Sequence, residues 1–143
     1  MLFTTWGEII SVLLFIIIQD FVFYGYHRLM HTKSLYSKFH YVHHSNKVPN
    51  SWCANISHKL DSNLESLIFI LPGLIVPLNY KLLHTLVLIT QIWKNIIHES
   101  KLRFKLKYIN NPCNHLVHHQ FENYNYGFWT TIPDRLFRTE FVY

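Results

Sequence analysis

HLVHH, His115–His119, repeats the spacing of HYVHH, His40–His44, which lies seventy-five residues earlier. Read as helix, each pentad sets its histidines at i, i+3 and i+4, on one face. HRLMH adds His27 and His31, four apart and again on one face. Imidazole is the commonest neutral metal ligand near physiological pH, because it is largely deprotonated there. These eight exceed the four ligands of a closed structural zinc site. Two five- or six-coordinate ions would use them, with open positions that suit oxygen chemistry or hydrolysis. All-imidazole ligation suits zinc, iron, copper or nickel. The rival reading is a surface or pH-sensing histidine cluster, which does not explain one spacing used twice.

The chain between and before the pentads is oily. Thr4 to Tyr26 reads as one apolar helix of 23 residues, roughly 34 Å long and enough for a bilayer core of about 30 Å. Asp20 is its odd member: either a carboxylate at the interface or a group supporting His27, seven residues on along the same face. Leu64 to Ile97 is apolar too, but Pro72-Gly73, Pro77 and Asn79–Lys81 break it. It reads as a membrane hairpin of two short helices, each arm roughly 20–25 Å. The hairpin brings two distant stretches to one side. His84 near its apex reads as interfacial.

The expected architecture is therefore all-α: one integral membrane domain over residues 1–143. It comprises a transmembrane helix (4–26), a polar segment with the first two histidine groups (27–63), the hairpin (64–97) and a polar segment with the third (98–143). Apart from Lys81 at the apex, every Lys and Arg lies in Arg28–Lys59 or Lys94–Arg138. The positive-inside rule then puts both polar blocks in the cytosol. The net charge of +5 is explained by topology and lipid headgroups, and no motif supports nucleic-acid binding. The opening residues carry no Lys or Arg before Arg28 and do not read as a cleavable signal. Cys53 and Cys113 form no CxxC pair, so a reducing compartment is expected.

DFVFYGYHRLMH, SLYSKFHYVHH and HLVHHQFENYNYGFWTTIPDRLFRT resemble the fatty acid hydroxylase/sterol desaturase superfamily, membrane non-haem diiron oxidases. The resemblance runs from Asp20 to Thr139. It implies a cytosolic centre of two iron ions, with O2 as co-substrate. His27, His31, His40, His43, His44, His115, His118 and His119 match the family's catalytic ligands, and His98 in NIIHES resembles a further ligand. It implies a membrane lipid substrate, sterol or acyl chain, which is hydroxylated or desaturated. Electrons would come from a donor such as cytochrome b5 and its reductase, in the endoplasmic reticulum membrane, and an oligomer is admitted. The alternative is a shortened, catalytically inactive relative that binds metal. A two-metal hydrolase would need a carboxylate among the boxes. Where relatives carry His-Pro-x-Glu, this chain reads SNLE, keeping Glu65 but placing Ser62 at the histidine; His58 is out of register. Arg138 replaces the usual glycine. Asn114, Glu122, Asn123, Asn125 and Asp134 are candidate supports for the ligands, with Glu122 read as a surface contact. Phe128 and Trp129 are expected to anchor at the membrane interface.

Overall fold

The computed structural model describes residues 5–102 and 106–141. Six α-helices appear there: α1 (Trp6–Met30), α2 (Lys33–Lys38), α3 (Lys59–Ile70), α4 (Tyr80–Ile97), α5 (Pro112–Phe121) and α6 (Ile132–Leu136). Extended pairing among the described residues is limited to one isolated bridge, Ile109 to Thr130.

The polarity of α1 is reversed relative to a helix of a soluble domain. Its buried stripe, Ser11, Phe15, Gln19, Phe23 and His27, recurs every four residues and carries polar groups, joined by Asp20 beside it. Ile10, Leu13, Leu14, Ile17 and Phe21 are exposed on the rest of its surface. The polar atoms of α1 thus turn inward and its aliphatic side chains outward. Among the described residues, α1 is the helix long and apolar enough to cross a membrane. Thr5 caps its start, its side chain accepting the Glu8 N–H.

Where a hairpin of two short helices is expected, α3 begins earlier, at Lys59, and the two helices are unequal. α3 has 12 residues and α4 has 18, about 18 and 27 Å by helix rise. Pro72 takes the chain out of α3 through a 3-10 turn, Leu71–Leu74. Asn79 then caps α4, accepting the Leu82 N–H at 2.9 Å.

α1 packs against α3 and the turn after it, α3 against α4, and α4 against α5. Phe23, Phe69, Ile97 and Phe128 form the core of this packing. Phe23 stacks on Phe69 at 5.6 Å and tilts against Phe128 at 4.8 Å. Gln19 is fully buried. It donates to the Phe69 carbonyl at 2.8 Å and accepts from Thr90 and from the Trp129 indole. Phe128 and Trp129 therefore belong to the helix packing rather than to an interface belt. Phe128 is only 1% exposed, and the Trp93 indole donates to its carbonyl.

HYVHH departs from its expected form. It is a 3-10 turn, His40–Ser45, and not an α-helix. The His40 and His43 rings are tilted against each other with centroids 5.4 Å apart. HLVHH lies on α5 as predicted, behind an Asn111 cap that accepts the Cys113 and Asn114 N–H groups. His31 stands at the C-cap of α1.

Candidate metal centre

Nine histidines converge from four parts of the chain. His27, His31, His40, His44 and His118 form one pocket, and His43, His98, His115 and His119 form the other. Within each pocket the candidate ligand nitrogens lie within 4.8 Å of one another. The three histidine groups thus do not each serve one site. His40 and His44 turn to the first pocket and His43 to the second; His118 turns to the first, His115 and His119 to the second. The expected shared face of each pentad is therefore corrected: adjacent histidines point apart, and the pentads are dealt across two adjoining pockets. The His44 and His119 rings stack between them at 4.6 Å. His98, at the end of α4, completes the second pocket.

Backbone carbonyls settle the tautomers. The Nδ1 atoms of His27, His43, His98, His118 and His119 face the carbonyls of Tyr126, Ile56, Lys94, Tyr124 and Asn46 at 2.7–3.3 Å. A carbonyl only accepts, so each Nδ1 must carry the proton and each Nε2 is left with a bare lone pair. Yet the Nε2 atoms face one another: His43 and His98 at 3.2 Å, His98 and His115 at 2.9 Å, His115 and His119 at 3.1 Å, and His44 and His118 at 3.2 Å. His31 Nε2, His40 Nε2, His44 Nδ1 and His115 Nδ1 are buried without a hydrogen-bond partner. Converging lone pairs in a dry pocket repel unless a cation sits among them. A first-row ion with imidazole at about 2.1 Å sets two ligands at a right angle about 3.0 Å apart. The observed spacings fit, so each pocket can hold such an ion, with neutral nitrogen donors throughout.

Burial holds these rings neutral. The pKa values of His31, His43, His44, His98, His115 and His118 are lowered, by burial first and by neighbouring imidazoles after it. His119 falls to about 4, burial again the largest cause. The unfolded chain takes up protons below pH 6.5 that the folded one refuses, so stability is present above that pH and drains away beneath it. Each such histidine costs about 1.4 kcal/mol per pH unit. Several together outrun a total of about 5–15 kcal/mol within roughly two units. The metal-free chain is expected to melt far lower at pH 5 than at pH 8, and a flat melting profile would contradict neutral burial.

A cavity of about 20 Å³ lies against both pockets, room for roughly one water. Its lining combines His27, His40, His43, His98 and His115 with Phe23, Ile97 and Phe128. Tyr26, Ser57, Asp61, Glu65 and Lys94 supply polar wall.

The stretch after the third box is a clamp. Asp20 accepts the N–H groups of Phe128, Trp129 and Thr130 at 3.2, 2.8 and 3.2 Å, and the Thr130 hydroxyl as well. Asp134 accepts the Tyr126 and Gly127 N–H groups at 2.8 and 2.7 Å and the Thr139 hydroxyl at 2.7 Å. Burial lifts its pKa to about 6 against those bonds. Gly127 leaves no room for a side chain: a Cβ would stand 2.4 Å from the Thr130 carbonyl oxygen. The Asn125 side chain donates to the Asn114 carbonyl at 3.2 Å. Pinned this way, the segment presents the Tyr124 and Tyr126 carbonyls to His118 and His27. Asp20 is thus neither at an interface nor against His27; it holds the loop that holds His27. Arg138 adopts φ 57°, a left-handed position where glycine fits best.

Glu65 pairs with Lys94, and the carboxylate that touches a box histidine is Asp61, which sequence reasoning passed over. Asp61 carried no distinguishing signal, lying three residues into α3 like any first-turn acid. His58 caps α3, its Nδ1 accepting the Leu60 N–H, and His84 is exposed; both lie outside the pockets. Asn123 is exposed, and Glu122 pairs with Lys47 at the surface.

Residues 12–139 match the fatty acid hydroxylase family model. The chain is 30% identical to lathosterol oxidase of Homo sapiens over 131 residues, covering 90% of this chain and 44% of that protein. It is 35% identical to Delta(7)-sterol 5(6)-desaturase of Eremothecium gossypii over 130 residues, covering 89% of this chain and 36% of that protein. The chain spans less than half the length of these relatives. No solved structure matches it. With its two imidazole pockets, its helical frame and a family match over nearly its whole length, the chain belongs to the fatty acid hydroxylase family.

Proposed function

We propose that this chain forms the metal-binding core of an O2-dependent non-haem diiron oxidase acting on a C–H bond of a membrane lipid. The observation that carries the reading is the pair of adjoining all-imidazole pockets facing one cavity. His27, His31, His40, His44 and His118 would hold one iron, and His43, His98, His115 and His119 the other. When bound, the two irons supply O2 activation and the oxidising power for hydroxylation or desaturation. The protein's own part is to keep nine neutral donors aimed inward and to exclude bulk water. Phe23, Ile97 and Phe128 contribute hydrocarbon to the cavity lining. The relatives' names favour a sterol over an acyl chain.

The inside-out polarity of α1 supports membrane insertion. The basic residues flanking the histidine groups favour a cytosolic centre, reached by cytochrome b5 or a reductase at the endoplasmic reticulum. A second reading, metal binding without turnover, is favoured by the cavity: about 20 Å³ admits a water and not a lipid.

The test is iron content and lipid-dependent O2 consumption of the purified chain with a chemical reductant. Two irons with turnover support the oxidase, and bound iron without turnover on sterols and acyl lipids supports the second reading. A single metal ion per chain overturns the diiron oxidase, and no bound metal overturns both. His43→Ala and His118→Ala are each expected to reduce turnover at least 100-fold while membrane insertion persists. Unchanged turnover in either would remove that histidine from the centre.

A further inference from the structure

Among the histidines of the two pockets, five of the six partnered Nδ1 atoms rest on backbone carbonyls, and the sixth rests on a carboxylate. His40 Nδ1 lies 2.8 Å from Asp61 Oδ2, with both side chains buried. The other Asp61 oxygen accepts the Tyr26 hydroxyl, which also reaches the Asp61 carbonyl at 3.0 Å. The carboxylate is thus held from two sides, between α1 and α3.

A carbonyl offers a dipole, whereas a carboxylate offers a full charge. An imidazole that donates to a carboxylate becomes a stronger electron-pair donor through its far nitrogen. That far nitrogen, His40 Nε2, is one of the buried atoms without a hydrogen-bond partner. In the other pocket, His43, His98 and His119 rest on carbonyls, and His115 Nδ1 has no hydrogen-bond partner. The two pockets therefore differ in donor strength as well as in donor number.

We infer that Asp61, held by Tyr26, is a positioning residue that strengthens metal binding in the five-imidazole pocket alone. The inference rests on the dimetal reading above. It makes the two ions unequal, and it assigns that inequality to a side chain outside the histidine boxes.

The test is a cobalt(II) titration of the full metal-free chain in lipid nanodiscs, followed by visible absorption. His31→Ala and His115→Ala identify which binding step belongs to which pocket. Asp61→Asn is expected to weaken the step lost in His31→Ala by about 10–100-fold and to leave the step lost in His115→Ala unchanged. Equal weakening of both steps, weakening of neither, or weakening of the four-imidazole step alone overturns the inference. Should Asp61→Asn take up no cobalt at all, Tyr26→Phe decides. That variant keeps the carboxylate and removes its proton donor, so the five-imidazole step alone is expected to tighten. No change, or a change in both steps, overturns the inference. A wild-type chain that takes up fewer than two cobalt ions instead overturns the dimetal reading, so the two failures are distinguishable.

Discussion

An Asp20→Ala chain is expected to lose on the order of 4 kcal/mol of stability and, with it, its ability to retain metal. The substitution strands three backbone N–H groups and one hydroxyl in the loop at residues 128–130. Each buried donor left without an acceptor costs about 1–3 kcal/mol. Water cannot easily replace the carboxylate, because Asp20 is 3% exposed. The loss reaches the metal centre through the backbone: Phe128 lies two residues from Tyr126, whose carbonyl fixes His27. Asp20→Asn keeps one acceptor oxygen and is expected to fall between the two. Melting in detergent and cobalt content would be measured together. Superimposable melting curves for Asp20→Ala and wild type would remove this carboxylate from the support of the loop.

The ion pair between α3 and α4 gives the second large effect. The Lys94 side chain is 7% exposed and that of Glu65 is 18%, so neither charge has water to fall back on. Removing one partner of such a pair costs about 3–5 kcal/mol, while replacing both with apolar side chains is often neutral. Lys94→Met alone and Glu65→Leu alone are each expected to destabilise by that amount. The double variant is expected to return within about 1 kcal/mol of wild type. His98 should keep its orientation throughout, since it donates to the Lys94 carbonyl and not to its side chain. A double variant as unstable as either single one, in a denaturant cycle, would show that the pair does more than satisfy itself.

The features legible in the sequence were those written as spacing. Repeated HxxHH marked the histidines that converge into the two pockets, and Pro72, Gly73 and Pro77 marked the fold-back that brings His31 and His118 to a ring separation of 4.7 Å. The division into two pockets was legible too, in a signal the one-face reading overrode. The dipeptides His43-His44 and His118-His119 cannot share a face, because neighbours on a helix lie about 100° apart. The 3-10 form of HYVHH was not legible, since its spacing suits an α-helix equally well. Nor were the roles of Asp20 and Asp61. Their partners lie 108–110 and 21 residues away, and only the folded chain makes those neighbours. Phe128 and Trp129 looked like interface aromatics because composition does not distinguish a helix-packing ring from a belt ring.

The dealing of adjacent histidines to different pockets also works as a ruler. At His43-His44 and again at His118-His119, a single peptide unit, about 3.8 Å between Cα atoms, ties a histidine of one pocket to a histidine of the other. The spacing between the pockets is thus tied covalently at two points on separate segments. Emptying one pocket leaves those two peptide units in place, so a half-filled chain should keep the separation between its pockets.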